Sequence, residues 1–254
     1  MGEKPFFRLN LGITKCYLLE CTGGYLLVDT GYTTDYAKFL KALHRASADG
    51  GVDLHQIKYL LLTHHHDDHA GFAAELVQET GARVIVHRDA VAPLERGESE
   101  PDIEPVNWQI FLIFGLFALV HGEFKFPPLV LTERDVVVDG DDANLLRGIG
   151  VDGEIVHTPG HTQDSISVVM SDGSVFCGDA AMNFLQFAGV RHRPIYQVDR
   201  AAVFRSWRRL LDRGARMIYP AHGDPFKAER LARYLERFAD TADCSNPEEK
   251  TWTS

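Results

Sequence analysis

The run Thr63-His64-His65-His66-Asp67-Asp68-His69 constrains the fold of this chain more than any other stretch. Directly before it, Ile57 to Leu62 is apolar and has the length of a buried strand. Directly after it, Ala70 to Thr80 has helical spacing. The run is therefore expected on a loop between a strand end and a helix start. Loops held by a rigid scaffold are where catalytic groups tend to sit. Four of its side chains can bind metal at the spacing His-x-His-x-Asp-His. In an extended segment His64 and His66 project to one side and Asp68 continues that parity, while His69 turns off at the helix start. Imidazole and carboxylate donors together suit zinc, iron or manganese.

The surrounding pattern is that of a layered α/β protein. Lys15 to Glu20 and Tyr25 to Val28 read as strands joined by the turn Cys21-Thr22-Gly23-Gly24. Asp29-Thr30-Gly31 ends the second. Thr34 to Ala46 has helical spacing, with Tyr36, Phe39, Leu40 and Leu43 on one face. Gly71 to Glu79 reads as a helix with Gly81 as its C-cap, followed by a strand at Arg83 to Val86. More strands are expected at Val136 to Val138, Glu154 to His157, Ile166 to Met170, Ser174 to Cys177 and Met217 to Tyr219. Asp199 should cap a helix running through Arg213, with Val203, Trp207, Leu210 and Leu211 inward. Phe226 to Phe238 reads as a last helix. We expect one domain over residues 1-239, interrupted by an apolar insertion at about 97-130, and a polar tail at 240-254.

Charge and cysteine usage narrow the function classes. A formal net charge of -10 argues against a general nucleic-acid binder, which needs a basic surface. It leaves room for an anionic substrate, because a bound metal brings local positive charge. The four cysteines, Cys16, Cys21, Cys177 and Cys244, form no Cys-x-x-Cys pair and no disulfide framework. Cys16 and Cys177 lie in strand-like runs and are expected to be buried thiols. The start, Met1 to Phe6, lacks the apolar core of a signal peptide, so a cytoplasmic location is expected. The most apolar window, Trp108 to Val120, is shorter than the roughly 20 residues a membrane span needs.

Other metal-binding side chains follow strand-like runs. His161 ends Thr158-Pro159-Gly160-His161-Thr162, Asp179 follows Cys177-Gly178, and His222 sits in Ala221-His222-Gly223. Together with His64-x-His66-x-Asp68-His69 and Asp29-Thr30-Gly31, these resemble, in order, the motifs of the metallo-β-lactamase superfamily. The resemblance runs from residue 29 to 223 and so covers most of the chain. It implies a four-layer αββα sandwich with metals at one edge, between the two sheets. By position it implies that His64, His66 and His161 hold a first divalent ion and that Asp68, His69 and His222 hold a second. Asp179 would bridge both, and Asp29 would orient the ligand-bearing loop.

Plainer readings exist for each feature. A structural zinc site would be closed and rich in thiolates, which seven His and Asp donors are not. His65 and Asp67 stand at the variable positions of the motif and are read as non-ligands. His157 is expected as a packed strand-end residue or a support for a ligand. His44, His55, His87, His121 and His192 have no ligand-like context, although His121 and His192 lie where they could reach a pocket. The basic stretch from Arg191 to Arg216 reads mainly as a solvated helix face. The sharper alternative is an anion-recognising rim at Arg191 and Arg193. Trp108 to Val120 reads first as a core helix, with a lid over the metals or a homodimer contact as alternatives. Phe72 is expected to place a bulky ring beside the site.

The resemblance implies a hydrolase in which metal-bound hydroxide attacks an ester, lactone, thioester or related bond of a small, even hydrophobic, substrate. Zinc is the expected metal, with iron or manganese also compatible. Asp68 both ligates and can accept the nucleophile's proton. Asp rather than Cys at position 179 departs from the cysteine-containing β-lactamases. Only 32 residues follow His222, too few for the helical glutathione-binding domain of glyoxalase II-like enzymes. Quorum-quenching lactonases carry a Tyr soon after the bridging Asp; here Ala180-Ala181-Met182-Asn183 follows, with Tyr196 further on. The alternatives are a mononuclear iron dioxygenase acting on persulfides, a phosphodiesterase, and a metal-binding module without activity. Weak β-lactamase activity is also compatible. No nucleic-acid partner is expected.

Overall fold

The structure is a computed structural model that describes residues 6–46, 51–99, 104–121 and 124–242, apart from the side chains of 114, 117–121 and 238–242. The first half runs β1 (Phe6–Asn10), β2 (Lys15–Cys21), β3 (Gly24–Val28), α1 (Tyr36–His44), β4 (Ile57–Leu61), α2 (Asp67–Ala70), α3 (Ala73–Thr80), β5 (Arg83–His87), α4 (Val91–Arg96), β6 (Glu104–Pro105), α5 (Trp108–His121) and β7 (Val136–Val138). The second half runs α6 (Leu145–Gly148), β8 (Gly153–His157), β9 (Ile166–Met170), β10 (Ser174–Phe176), β11 (Tyr196–Gln197), α7 (Arg200–Asp212), β12 (Met217–Tyr219), β13 (Phe226–Lys227) and α8 (Glu229–Ala242).

Two sheets form, ordered β1-β2-β3-β4-β5-β7 and β13-β12-β10-β9-β8, with a two-stranded ribbon of β6 and β11. In the first, β1 to β3 are antiparallel and β3, β4, β5 and β7 are parallel. Strand side chains alternate between faces, and that alternation builds the layers. Leu18, Leu27 and Leu60 face outward and bury against Phe39, Leu43, Leu76 and Leu94 of the helices α1, α3 and α4. Leu19, Leu26 and Leu61 face the other way and meet Ile155, Ile166, Val168 and Phe176 of the second sheet. The far face of that sheet buries Val156, Val169, Val175 and Ile218 under Phe204, Trp207, Leu210, Leu231 and Leu235 of α7 and α8. Strands buried on both faces read as continuous apolar runs, as Leu60-Leu61-Leu62 does at the site end of β4. This is the αββα sandwich that the motifs imply.

Several helices begin and end where the sequence places them. Asp199 caps α7, its side chain accepting from Ala202 N–H at 2.9 Å. Gly81 closes α3 in the left-handed conformation. Cys16 and Cys177 are buried thiols.

Other expectations change. The segment expected as a helix from Phe226 opens instead with the edge strand β13, paired to β12, and the helix begins at Glu229. Phe6–Asn10 forms a strand that the sequence reading leaves unassigned; it pairs antiparallel with β2. Phe72 does not line the site. Its ring is fully buried between Tyr36 and Phe39, at 5.3 and 5.1 Å, in the outer helical layer. Gly71, just before it, is the sterically confined position: a Cβ there would lie 2.4 Å from the carbonyl oxygens of Asp67 and Gly31.

The apolar window does form a helix, but not a core one. In α5, Trp108, Phe111, Leu112 and Leu116 are 59–70% exposed, whereas Ile110 is buried on Met182, Ala188, Val190 and Ile195. Asn107 fixes its start, accepting from Ile110 N–H at 3.0 Å and donating to the Ala188 carbonyl at 2.9 Å. Among the described residues, no helix is long and apolar enough to cross a membrane. The expected tail, with Cys244, lies outside the described residues except for its first few, and so does the side chain of His121.

Candidate metal centre

Strands β8, β10 and β12 of the second sheet run in one direction, since β8 and β10 are each antiparallel to β9 and β10 is parallel to β12. Their C-terminal ends therefore share one edge, and they deliver His161, Asp179 and His222 there. Strand β4 of the first sheet delivers the loop from His64 to His69. The loop after β10 approaches closely because residue 178 is glycine at φ +49°; a Cβ there would sit 2.2 Å from Thr63 Oγ1.

All seven predicted donors come together. They form the sets His64, His66, His161; Asp68, His69, His222; and His64, His69, Asp179, with ligand atoms within 4.8 Å of one another in each. His161 Nε2 lies 3.1 Å from both His64 Nε2 and His66 Nδ1. Nitrogens bound tetrahedrally at about 2.0–2.1 Å from one ion would be roughly 3.3 Å apart. On the other side, His222 Nε2 lies 3.0 Å from Asp68 Oδ2. Asp179 faces both sets: Oδ1 is 3.5 Å from His69 Nε2 and 3.3 Å from His222 Nε2, and Oδ2 is 3.6 Å from His161 Nε2. Asp68 is the donor that reaches solvent, with 14% of its side chain accessible.

The surrounding hydrogen bonds aim the rings. Thr63 donates to Asp29 through its backbone N–H at 2.7 Å and its hydroxyl at 2.8 Å. The hydroxyl oxygen can then accept from His64 Nδ1 at 3.2 Å. His69 Nδ1 donates to Asp29 Oδ2 at 2.9 Å, His161 Nδ1 to the Tyr196 carbonyl at 2.8 Å, and His222 Nδ1 to the Ile13 carbonyl at 3.2 Å. Each of these rings has its outer nitrogen occupied as a donor, which leaves the inner lone pair for a cation. His69 Nε2 and Asp179 Oδ1 are buried and make no hydrogen bond among the described residues. A divalent cation fits this donor set.

Electrostatics point the same way. Burial, reinforced by neighbouring histidines, pushes His64 and His66 well below the ordinary histidine value, and burial lowers His161. These rings are neutral near pH 7 and able to ligate. Burial opposes charge on His69 too, but Asp68, Asp29 and Asp179 raise it well above its ordinary value. Burial likewise opposes His222, and Asp179 and Asp68 raise it. Burial would raise Asp179, yet His222, His69 and His161 hold it far below the usual carboxylate range. The carboxylates are thus ionised and attract positive charge to this cavity.

Some expected or overlooked residues have different places. His157 is a packed strand-end residue, stacked on His87 at 4.4 Å. His192 stacks on Phe226 at 4.1 Å, and its Nδ1 lies 3.1 Å from the Met182 carbonyl. Arg193 is spent on the carbonyls of Val190 and Gly189, which leaves it poorly placed for an anion rim. Tyr196 contributes its carbonyl to His161. Tyr32 was not singled out in the sequence. Burial, with Asp68, Asp67 and Asp179, pushes its hydroxyl far above its ordinary value, so it is a neutral phenol. Its place three residues after Asp29 was the only available signal.

Known proteins share this fold. Residues 9–222 match the family described as the metallo-beta-lactamase superfamily. A metallo-beta-lactamase fold-containing protein of Sulfurisphaera tokodaii is 24% identical over 184 residues, 72% of this chain and 67% of that protein. A hydroxyacylglutathione hydrolase of Idiomarina loihiensis is 30% identical over 123 residues, 48% of this chain but only 32% of that protein. A metallo-beta-lactamase family protein of Thermus thermophilus superposes with a TM-score of 0.64 at 23% identity, covering 94% of this chain and 80% of the other. At that identity the likeness is one of fold. The family match spans nearly all of the two sheets and every donor described above, and this chain belongs to the metallo-beta-lactamase superfamily.

Proposed function

We propose that the chain is a two-metal hydrolase that cleaves a thioester or ester of a small substrate with an apolar acyl part. The observation that carries this is Asp179, whose two oxygens face separate sets of donors. His64, His66 and His161 would hold one divalent ion, and Asp68, His69 and His222 the other. When bound, the ions would supply hydroxide near neutral pH and polarise the oxygen of the scissile carbonyl.

The chain's own residues provide the rest. Asp29 and the carbonyls of Tyr196 and Ile13 keep the rings aimed inward. Asp68, at the solvent edge of the cluster, can accept the proton lost by the attacking water at its carboxylate oxygen. Tyr32 stays a neutral phenol. The apolar part of the substrate would lie along the loop from Met182 to Ile195. Phe184 in that loop lies 6.0 Å from the His222 ring, and the loop shares a buried cluster with α5. The thioester preference leans on the hydroxyacylglutathione hydrolases among the relatives.

The test is hydrolysis of a panel of S-acyl thioesters, aryl esters, lactones, phosphodiesters and a β-lactam, run alongside metal analysis. Thioester or ester turnover that a chelator abolishes and zinc restores is the expected result. Turnover that survives complete metal removal would sink the mechanism. One iron per chain together with oxygen consumption would select the dioxygenase instead.

A further inference from the structure

His65, flanked by two of the proposed ligands, is not among the convergent donors. Its ring is fully buried, and its Nδ1 lies 3.1 Å from Asp164 Oδ1. Asp164 is equally buried and follows His161 by three residues. The pair therefore ties together the two loops that present His64, His66 and His161, across 99 positions of sequence. His65 Nε2 and Asp164 Oδ2 make no hydrogen bond among the described residues. A buried pair left half satisfied costs stability rather than adding it, so its contribution lies in what it holds in place.

The Asp164 side of the pair is rigidly coupled to His161. Thr162 Oγ1 and Ser165 Oγ are hydrogen-bonded at 2.7 Å, Gly160 N–H donates to the Thr162 carbonyl at 3.0 Å, and Thr158 N–H to the Ser165 carbonyl at 2.8 Å. These bonds tie residues 158 to 165 together, so a shift of Asp164 would be passed to His161.

We propose that Asp164 is a positioning residue. Its hydrogen bond to His65 sets the separation of the two ligand loops, and hence the 3.1 Å spacing of the His64, His66 and His161 nitrogens that one ion requires. The inference rests on the two-metal reading and adds selectivity to it. His69 is braced by Asp29 and His222 by the Ile13 carbonyl, and neither hydrogen bond runs through Asp164. Loosening the clamp should weaken one ion and spare the other.

The test compares wild type with Asp164→Ala and Asp164→Asn by zinc stoichiometry, competitive zinc affinity and the ligand-field spectrum of the cobalt-substituted protein. In Asp164→Ala one of two ions should bind about 10- to 100-fold more weakly, with a changed cobalt spectrum. Asp164→Asn keeps an acceptor oxygen in place and should restore both. If Asp164→Ala does not fold by circular dichroism, His65→Ala replaces it, with His65→Asn as the rescue that keeps a donor near the Nδ1 position. Two ions bound at wild-type affinity with an unchanged cobalt spectrum would overturn the clamp, however much the melting temperature falls. Equal weakening of both ions would also overturn it. A wild type that binds one ion refutes the two-metal reading instead, and the clamp then stands only if Asp164→Ala weakens that ion.

Discussion

Asp29 does the most with one side chain. Its carboxylate accepts the Thr63 N–H, the Thr63 hydroxyl and the His69 Nδ1–H, and its backbone sits at φ 62°, a conformation Asp tolerates better than most residues. Asp29→Ala strands the two nitrogen donors without partners in a buried place. At about 1 kcal/mol per lost hydrogen bond, it should cost on the order of 3 kcal/mol in urea unfolding. It should also weaken zinc binding about 10- to 100-fold in a competition assay. The candidate donors from His64 to His69 were legible from their local spacing, whereas His161, Asp179 and His222 were legible only through the ordered motifs that resemble the superfamily. Asp164 was not, because its contact with His65 is made across the fold. Phe72 misled for the same reason: adjacency to His69 in sequence says nothing about which side of α3 a ring takes.

At the scale of elements, α7 is fastened at both ends. Asp199 caps its start, and Arg209 and Arg213 near its end grip Asp141, which also accepts the His157 N–H at 2.8 Å. Burial opposes ionisation of Asp141, but that N–H and the two guanidiniums hold it below the usual carboxylate range. Its folded value thus lies below the unfolded value of about 3.9. The stabilisation is present above that pH and is lost as pH falls through the folded value. In chelated protein, the melting-temperature gap between wild type and Asp141→Asn should therefore be full at neutral pH and close on acidification below about 4. Strands and helices with strong periodicity were read nearly to their ends. The short edge strands β1 and β13 were not, because a few residues acquire strand geometry from a partner rather than from their own pattern. The exposure of α5 was equally hidden, since an all-apolar helix reads as core until its surroundings are known.

For the whole molecule, the candidate donors come from both sheets, so an ion held by them would tie the first sheet to the second. Metal should therefore stabilise the fold, not only the site. Zinc at a hundredfold above its dissociation constant would add about 2.7 kcal/mol, and each kcal/mol is worth about 2–4 °C in a chain of this size. Chelation should lower the melting temperature by about 5–10 °C, measured by scanning fluorimetry with and without zinc; no shift would mean that the two sheets do not share an ion. The sandwich architecture was legible only through the ordered motifs, because sheet order and the pairing of distant strands leave no periodic trace.

The order of the donors along the chain has a consequence for biogenesis. The three-histidine set is complete once residue 161 has been made, the shared carboxylate arrives with residue 179, and the second set closes only with His222. On the two-metal reading proposed above, a chain interrupted between these points would carry the first set of donors without the second. Full loading would then be a late event in synthesis.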